Sequence, residues 1–174
     1  SPAFSTATLA ISDSTMIFTS SSKVVFCPSH DTASAVLACP TDEKSVFISS
    51  GTWSLIGTEN LHPVLTEQAF EANLTNEGGI DYRFRFLKNI MGMWLFQSIR
   101  KNLDKKYTYD EMMYMAMESN FSETIDPTSE MFLAPDNMIE AVRNYLGRPD
   151  LPISAVLSSV YHSLARSYDT TIKE

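Results

Sequence analysis

The sequence predicts an α/β domain with its strands first and its helices after them. The apolar run Val24-Val25-Phe26 predicts a buried strand that leads directly into a short helix. Two β-rich segments flank Ser50-Gly51-Thr52, which is typical of a hairpin with a glycine near its tip. In the second half of the chain, apolar residues recur at helical spacing.

The composition is that of an ordinary globular protein, with 44% hydrophobic and 20% charged residues in 174. A net charge of −8 argues against nucleic-acid binding, which needs a basic face. No apolar run approaches the roughly 18 residues of a membrane span, and no signal pattern is present, so we expect a cytoplasmic protein without membrane contact. We expect Cys27 and Cys39 to be buried free thiols in a reducing compartment.

The first half of the chain is predicted to contain most of the β-structure. Residues 1–22 are rich in Ser and Thr and form a poorly determined segment, and residues 23–174 form the domain proper. The predicted elements are a helix at 32–38, hairpin strands at 45–49 and 53–56, a tight turn at 76–79 and a strand at 82–87.

The second half is predicted to be helical. A buried helix is expected over 90–103, and Thr108 with Glu111 forms a capping box for the helix that ends near residue 119. A further helix over 136–146 stops at Gly147, and an amphipathic helix begins at Ile153. Because no strand follows this last apolar stripe, we expect the chain to be cut from a longer protein.

His30-Asp31-Thr32 is the first candidate site, since it lies where a predicted buried strand ends and a predicted helix begins. This is the crevice position in which α/β sheets place ligands. Three interpretations are open. Asp31 could cap the helix, it could be a general base with His30 and Thr32 positioning a substrate hydroxyl, or it could belong to a hydrolase triad. No G-x-S-x-G motif supports the triad.

Other candidates lie on the hairpin and on the predicted buried helix. The turn at 49–52 is either a simple hairpin turn or a phosphate-binding loop with backbone N–H groups and the Thr52 hydroxyl. Asn89 is either a helix cap or a ligand contact, and Gln97, about 12 Å further along the predicted helix, is a polar amide that needs a partner. Glu77 is interpreted as a turn residue. The histidines lack the spacing of metal ligands, which predicts no zinc site.

Four ordered segments carry a resemblance to a known family. The set HDTASAV, SSGTWSLIGTE, NLTNEGG and FLKNIMGMWLFQ closely resembles the rhamnulokinases within the FGGY carbohydrate kinases. The similarity runs from about Val24 to Arg100 and continues more weakly to the end. It implies an ATP-dependent kinase of two domains around a cleft, with the actin-like, ribonuclease-H-like fold. Residues 23–174 would then form an incomplete C-terminal domain of that kinase.

The resemblance also implies roles for individual residues. Asp31 corresponds to the base that takes the proton from the sugar hydroxyl. Sugar contacts are implied for His30, Asp31, Thr32 and Asn89, and contacts to ATP for Gly51, Thr52 and Gln97. No metal ligand is implied in this chain. The implied reaction is phosphorylation of L-rhamnulose at its 1-hydroxyl, with ATP and Mg²⁺.

The sequence also departs from the family. The N-terminal domain, with its phosphate loop, metal carboxylate and most of the sugar pocket, is absent, as is the glycine-rich adenosine-binding segment. We therefore expect half-sites whose partner is the missing N-terminal domain, and an isolated chain that is inactive. Two other interpretations fit the sequence: a kinase for another deoxy-ketose such as fuculose, and a non-catalytic remnant or nucleotide-binding module of a truncated kinase.

Overall fold

The computed structural model describes residues 31–40, 42 and 44–174. Segment 1–22, the strand predicted at 23–26, Cys27 and His30 lie outside these residues. The described part confirms the predicted order, with a sheet built mainly in the first half and the longer helices in the second.

The sheet has four antiparallel strands in the order β1-β2-β4-β3. They are β1 (Phe47–Ser50), β2 (Trp53–Asn60), β3 (Thr75–Gly78) and β4 (Phe84–Met91). The central pair is β2 with β4, in register from Trp53 opposite Met91 to Asn60 opposite Phe84. A short helix, α2 (Glu67–Glu71), and a 3₁₀ turn (Ile80–Tyr82) lie in the connections on either side of β3.

Four helices form the main core with one face of this sheet. They are α3 (Trp94–Asn102), α4 (Tyr109–Met117), α5 (Met138–Leu146) and α6 (Ile153–Lys173), with a 3₁₀ turn at Glu130–Phe132 between α4 and α5. The apolar side chains of these helices pack in one cluster with Ile56 and Ile90 of the sheet. Each such side chain contributes about 1.5–3 kcal/mol on burial. Among the described helices, none is long and apolar enough to cross a membrane.

Polar contacts connect α6 to the sheet. The hydroxyls of Ser54 and Tyr168 are 2.7 Å apart, and the Lys88 ammonium donates to the Glu174 carboxylate at 2.8 Å. Ser54 is fully buried, so its hydroxyl requires this partner.

The opposite face of the sheet is covered at one end by α1 (Asp31–Ala38). Val36 is the buried residue of this helix, and it packs in a small cluster with Phe47 and Leu87, against which Leu55 also lies. The helix predicted over 32–38 is thereby confirmed, and this second cluster is what holds it on the sheet.

Two predicted helix ends are confirmed by their hydrogen bonds. The Thr108 hydroxyl accepts from the Glu111 N–H at 3.2 Å, and the Glu111 carboxylate accepts from the Thr108 N–H at 2.7 Å. Two hydrogen bonds lower the pKa of Glu111 below its usual value. The bond from the Thr108 N–H has the larger effect and the bond from the Thr108 hydroxyl the smaller one. Gly147 ends α5 in the left-handed conformation, with φ 65°.

Three expectations are corrected. The helix predicted from Ile90 begins only at Trp94, because Ile90 and Met91 continue the ladder of β4 with β2. The turn predicted at 76–79 is largely strand β3, since Asn76, Glu77 and Gly78 pair with β4. Cys39, expected to be buried, is a free and exposed thiol.

Gly92 separates β4 from α3 at a point of close backbone approach. A Cβ atom there would lie 2.5 Å from Ser54 Oγ, 2.8 Å from the Gly51 carbonyl oxygen and 2.9 Å from the Ser54 nitrogen. These distances are too short for any side chain, so only glycine permits the junction.

We expect Gly92→Ala to destabilise the protein by about 1–3 kcal/mol, because the backbone of the β1–β2 turn would have to move. Urea unfolding followed by the fluorescence of Trp53 and Trp94 measures this. The matched control is Gly78→Ala, whose new Cβ would meet no heavy atom within 4 Å and should change stability by less than about 0.5 kcal/mol. Equal unfolding midpoints for the two variants would contradict the close-approach argument.

Candidate functional site

A cleft on the α1 side of the sheet contains most of the predicted site residues. Its volume is about 580 Å³. The start of α1, the β1–β2 turn and the central strands form its walls. The described residues that line it are Asp31, Thr32, Ala35, Ser49, Gly51, Thr52, Trp53, Leu55, Glu77 and Asn89. Five of the seven predicted site residues therefore share one cavity, and His30 lies outside the described residues.

Asp31 is the first residue of α1 and is exposed to the cleft. Its Oδ1 accepts from the Thr32 N–H at 2.7 Å, and the Thr32 hydroxyl lies 3.5 Å from the same oxygen. A helix N-terminus favours a carboxylate, since the peptide dipoles leave positive partial charge there. Val36, 5% exposed, anchors the helix one turn further on, so the placement of Asp31 depends on that packing.

The turn between β1 and β2 is held by backbone hydrogen bonds. Within the turn, the Gly51 N–H donates to the Trp53 carbonyl at 3.0 Å. The Gly51 carbonyl accepts from the Met93 N–H at 2.9 Å, and the Thr52 carbonyl accepts from the Trp94 N–H at 3.0 Å. Helix α3 has no side-chain cap at its start, so these carbonyls satisfy N–H groups that the helix leaves open.

Gln97 adjoins the cleft through this junction. Its Nε2 lies 3.4 Å and its Oε1 3.5 Å from Thr52 Oγ1, both long distances for a hydrogen bond. The Gln97 amide thus lies beside the hydroxyl of the hairpin turn, at the limit of hydrogen-bond distance. Thr52 lines the cleft at its end nearest α3, and Gln97 lies behind it, outside the cleft lining.

Asn89 lines the cleft, but it does so from a different secondary-structure element than the one predicted. It lies in β4, opposite Leu55 of β2, and not at the start of a helix. The interpretation of Asn89 as a helix cap is therefore wrong. The separation predicted between Asn89 and Gln97 is also wrong, because it assumed that both residues lie in one helix. The side chain is exposed and lines the cleft floor together with Leu55.

Glu77 and Trp53 are cleft residues that the sequence did not identify. Glu77, interpreted as a turn residue, lies in β3 opposite Arg85, and its Oε2 is 3.1 Å from Arg85 Nη2. Trp53 begins β2 and is 43% exposed. No local sequence signal identifies Glu77 as a cleft residue. Trp53 could have been identified as one, because it directly follows the Gly51-Thr52 motif.

The chemistry of the lining favours a neutral ligand that carries hydroxyl groups. It combines the Asp31 and Glu77 carboxylates with an amide, hydroxyls and an indole, and no Lys, Arg or His is among the described lining residues. Carboxylates and amides exchange hydrogen bonds with hydroxyls, and an indole packs against C–H groups. Among the described residues, no group of three or more His, Cys, Asp or Glu could hold a metal ion.

Comparison with known proteins gives a consistent result. The model of the FGGY family of carbohydrate kinases, C-terminal domain, matches residues 46–170. A rhamnulokinase of Oceanobacillus iheyensis is 44% identical over 155 residues, and one of Halalkalibacterium halodurans 41% over 157. A rhamnulokinase of Bacillus subtilis is 40% identical over 158 residues. Each alignment covers 87% of this chain and 33% of the relative, so the chain spans about a third of their length.

We expect Val36→Ala to loosen α1, because the change removes two buried methyl groups, about 1.5 kcal/mol. Amide hydrogen exchange in α1 should then be roughly tenfold faster, with exchange in α3 and α6 unchanged. Leu37→Ala is the matched control, since Leu37 is an exposed side chain of the same helix. Unchanged exchange in the Val36 variant would show that another contact holds Asp31 in place.

Proposed function

This chain belongs to the FGGY family of carbohydrate kinases, and we propose that it is part of an ATP-dependent kinase that phosphorylates L-rhamnulose. The product is L-rhamnulose 1-phosphate, which places the enzyme in rhamnose catabolism, in the cytoplasm where ATP is supplied. The observation that carries this proposal is the common cleft of Asp31, Thr32, Gly51, Thr52 and Asn89. The name shared by the relatives supports the choice of ketose.

Asp31 acts as the general base in this proposal. The 1-hydroxyl oxygen attacks the γ-phosphorus, the bond from that phosphorus to the ADP oxygen breaks, and the hydroxyl proton passes to the Asp31 carboxylate. The position of Asp31 supports this role, since the carboxylate begins a helix at the cleft wall and is exposed to a ligand.

The other residues divide between sugar and nucleotide. Thr32 and Asn89, with His30 beyond the described residues, contact sugar hydroxyls. Gly51, Thr52 and Gln97 contact the phosphate end of ATP. The Thr52 hydroxyl and the Gln97 amide are already side by side, so they offer neutral donors at one point. Such positioning groups supply most of what phosphoryl transfer requires.

Mg²⁺ would neutralise charge on the phosphate oxygens of bound ATP. The described residues supply two cleft carboxylates and no cluster of three metal-ligating side chains. We therefore place the metal's protein ligands outside the described residues of this chain, in another part of the kinase. The same part, the N-terminal domain expected by resemblance, would complete the sugar pocket, and this chain alone would be inactive.

The substrate is tested with the complete kinase that contains this chain. With ATP and Mg²⁺, we expect kcat/KM for L-rhamnulose to exceed that for L-fuculose, D-xylulose and glycerol by at least about tenfold, because a pocket that hydrogen-bonds hydroxyls rejects mismatched ones. A preference for L-fuculose would favour the alternative deoxy-ketose kinase. Failure to phosphorylate any of the four would favour a non-catalytic remnant.

The base is tested by Asp31→Asn in the same enzyme. We expect kcat to fall about 100- to 10,000-fold, since the amide cannot take the proton, with the Kd for ATP unchanged. Asp150→Asn is the control, because Asp150 is exposed and absent from the cleft lining. A kcat that stays within about threefold, roughly 0.7 kcal/mol, would remove Asp31 as the base.

A further inference from the structure

A buried arginine lies behind the cleft wall with its donors only partly satisfied. Arg85 of β4 is 7% exposed. Its Nη2 lies 3.1 Å from Glu77 Oε2 and 3.4 Å from the Gly78 carbonyl oxygen. Its Nε and Nη1 are buried and have no hydrogen-bond partner among the residues that the structure describes. A buried guanidinium is costly unless it is paired, so the Glu77 carboxylate is the contact that compensates for its burial.

The carboxylate of Glu77, the partner of Arg85 in this ion pair, faces the cleft. It stands directly opposite Arg85 in the β3–β4 register, its side chain is 39% exposed, and it is part of the cleft lining. Arg85 engages one carboxylate oxygen, and a carboxylate has acceptor capacity for further bonds. The ion pair therefore fixes an acceptor group on the cleft wall.

The position of Glu77 in the sheet indicates which part of a ligand it meets. Helix α1, which carries Asp31, contacts β1 and reaches Leu87 of β4 through Val36, whereas Glu77 belongs to β3 at the far edge of the sheet. A ligand whose reacting hydroxyl faces Asp31 therefore presents its remote end to Glu77. Trp53 and Asn89 lie on strands between these two edges.

We propose that Glu77 is a further substrate-contacting residue, which accepts a hydrogen bond from a sugar hydroxyl remote from the one that is phosphorylated. Arg85 is a positioning residue that holds the Glu77 carboxylate at the cleft wall. This inference rests on the proposed function and deepens it by adding a determinant of ketose specificity.

The first test uses the complete kinase with Glu77→Gln. We expect KM for L-rhamnulose to rise about tenfold, with KM for ATP unchanged within twofold. Glu77→Asp keeps the charge beside Arg85 but withdraws the carboxylate by one methylene, so it should raise the ketose KM even if the Gln variant does not fold. Glu140→Gln is the matched control, because Glu140 forms an ion pair with Arg143 at 2.7 Å in α5, away from Arg85, and does not line the cleft.

The role of Arg85 is tested by Arg85→Met and Arg85→Lys. Arg85→Met should raise the ketose KM as Glu77→Gln does, and Arg85→Lys should restore part of the loss because it keeps a charged donor. A purely structural role would instead raise KM for ketose and ATP together, without rescue by lysine.

The decisive measurement compares L-rhamnulose with analogues that each lack one hydroxyl. For one remote hydroxyl, Glu77→Gln should add no further rise in KM, because the group that Glu77 binds is already missing. Equal effects of the substitution on every analogue, or a ketose KM within twofold of the unsubstituted enzyme, would overturn the proposal. An unsubstituted kinase that does not phosphorylate the ketose would instead refute the proposed function, so the two failures are distinguishable.

Discussion

The junction between the β1–β2 turn and the start of α3 is the constraint on which the rest of the site depends. The Gly51 and Thr52 carbonyls accept the first N–H groups of a helix that has no side-chain cap. Gly92 permits this approach, since any Cβ there would collide with the turn. Because the same turn carries the Thr52 hydroxyl, capping α3 also brings Gln97 into contact with it.

The elements that could be predicted from sequence are those decided locally. The Thr108–Glu111 box and the Gly147 stop depend on residues within one helical turn, and both are confirmed. The boundary at Gly92 could not be found in this way. An apolar run is compatible with a buried strand or a buried helix, and pairing with β2, 30 or more residues away, decides for a strand up to Met91.

The site was predictable to the extent that its residues occur in recognisable motifs. Asp31, Thr32, Gly51 and Thr52 belong to such segments, and the structure places them in one cleft. Glu77 was missed because its position depends on the register of β3 with β4. The strand Thr75–Gly78 is short and polar and ends in glycine, so it lacks the alternation by which strands are recognised. Its partner Arg85 is buried in the central strand β4, opposite Glu77 in that register.

The charge of the cleft indicates how the work of a kinase would be divided. Its described lining carries two carboxylates and no cation, an environment suited to a neutral polyol and unfavourable to a polyanion. The buried Arg85 is already engaged by Glu77, and Lys88 lies on the opposite face of the sheet, where it pairs with Glu174. Neutral donors such as the Thr52 hydroxyl and the Gln97 amide can orient a phosphate but cannot balance its charge. The described lining is therefore better suited to hydroxyl groups than to phosphates, and under the proposed function the charge of the phosphate donor would be compensated by groups beyond it.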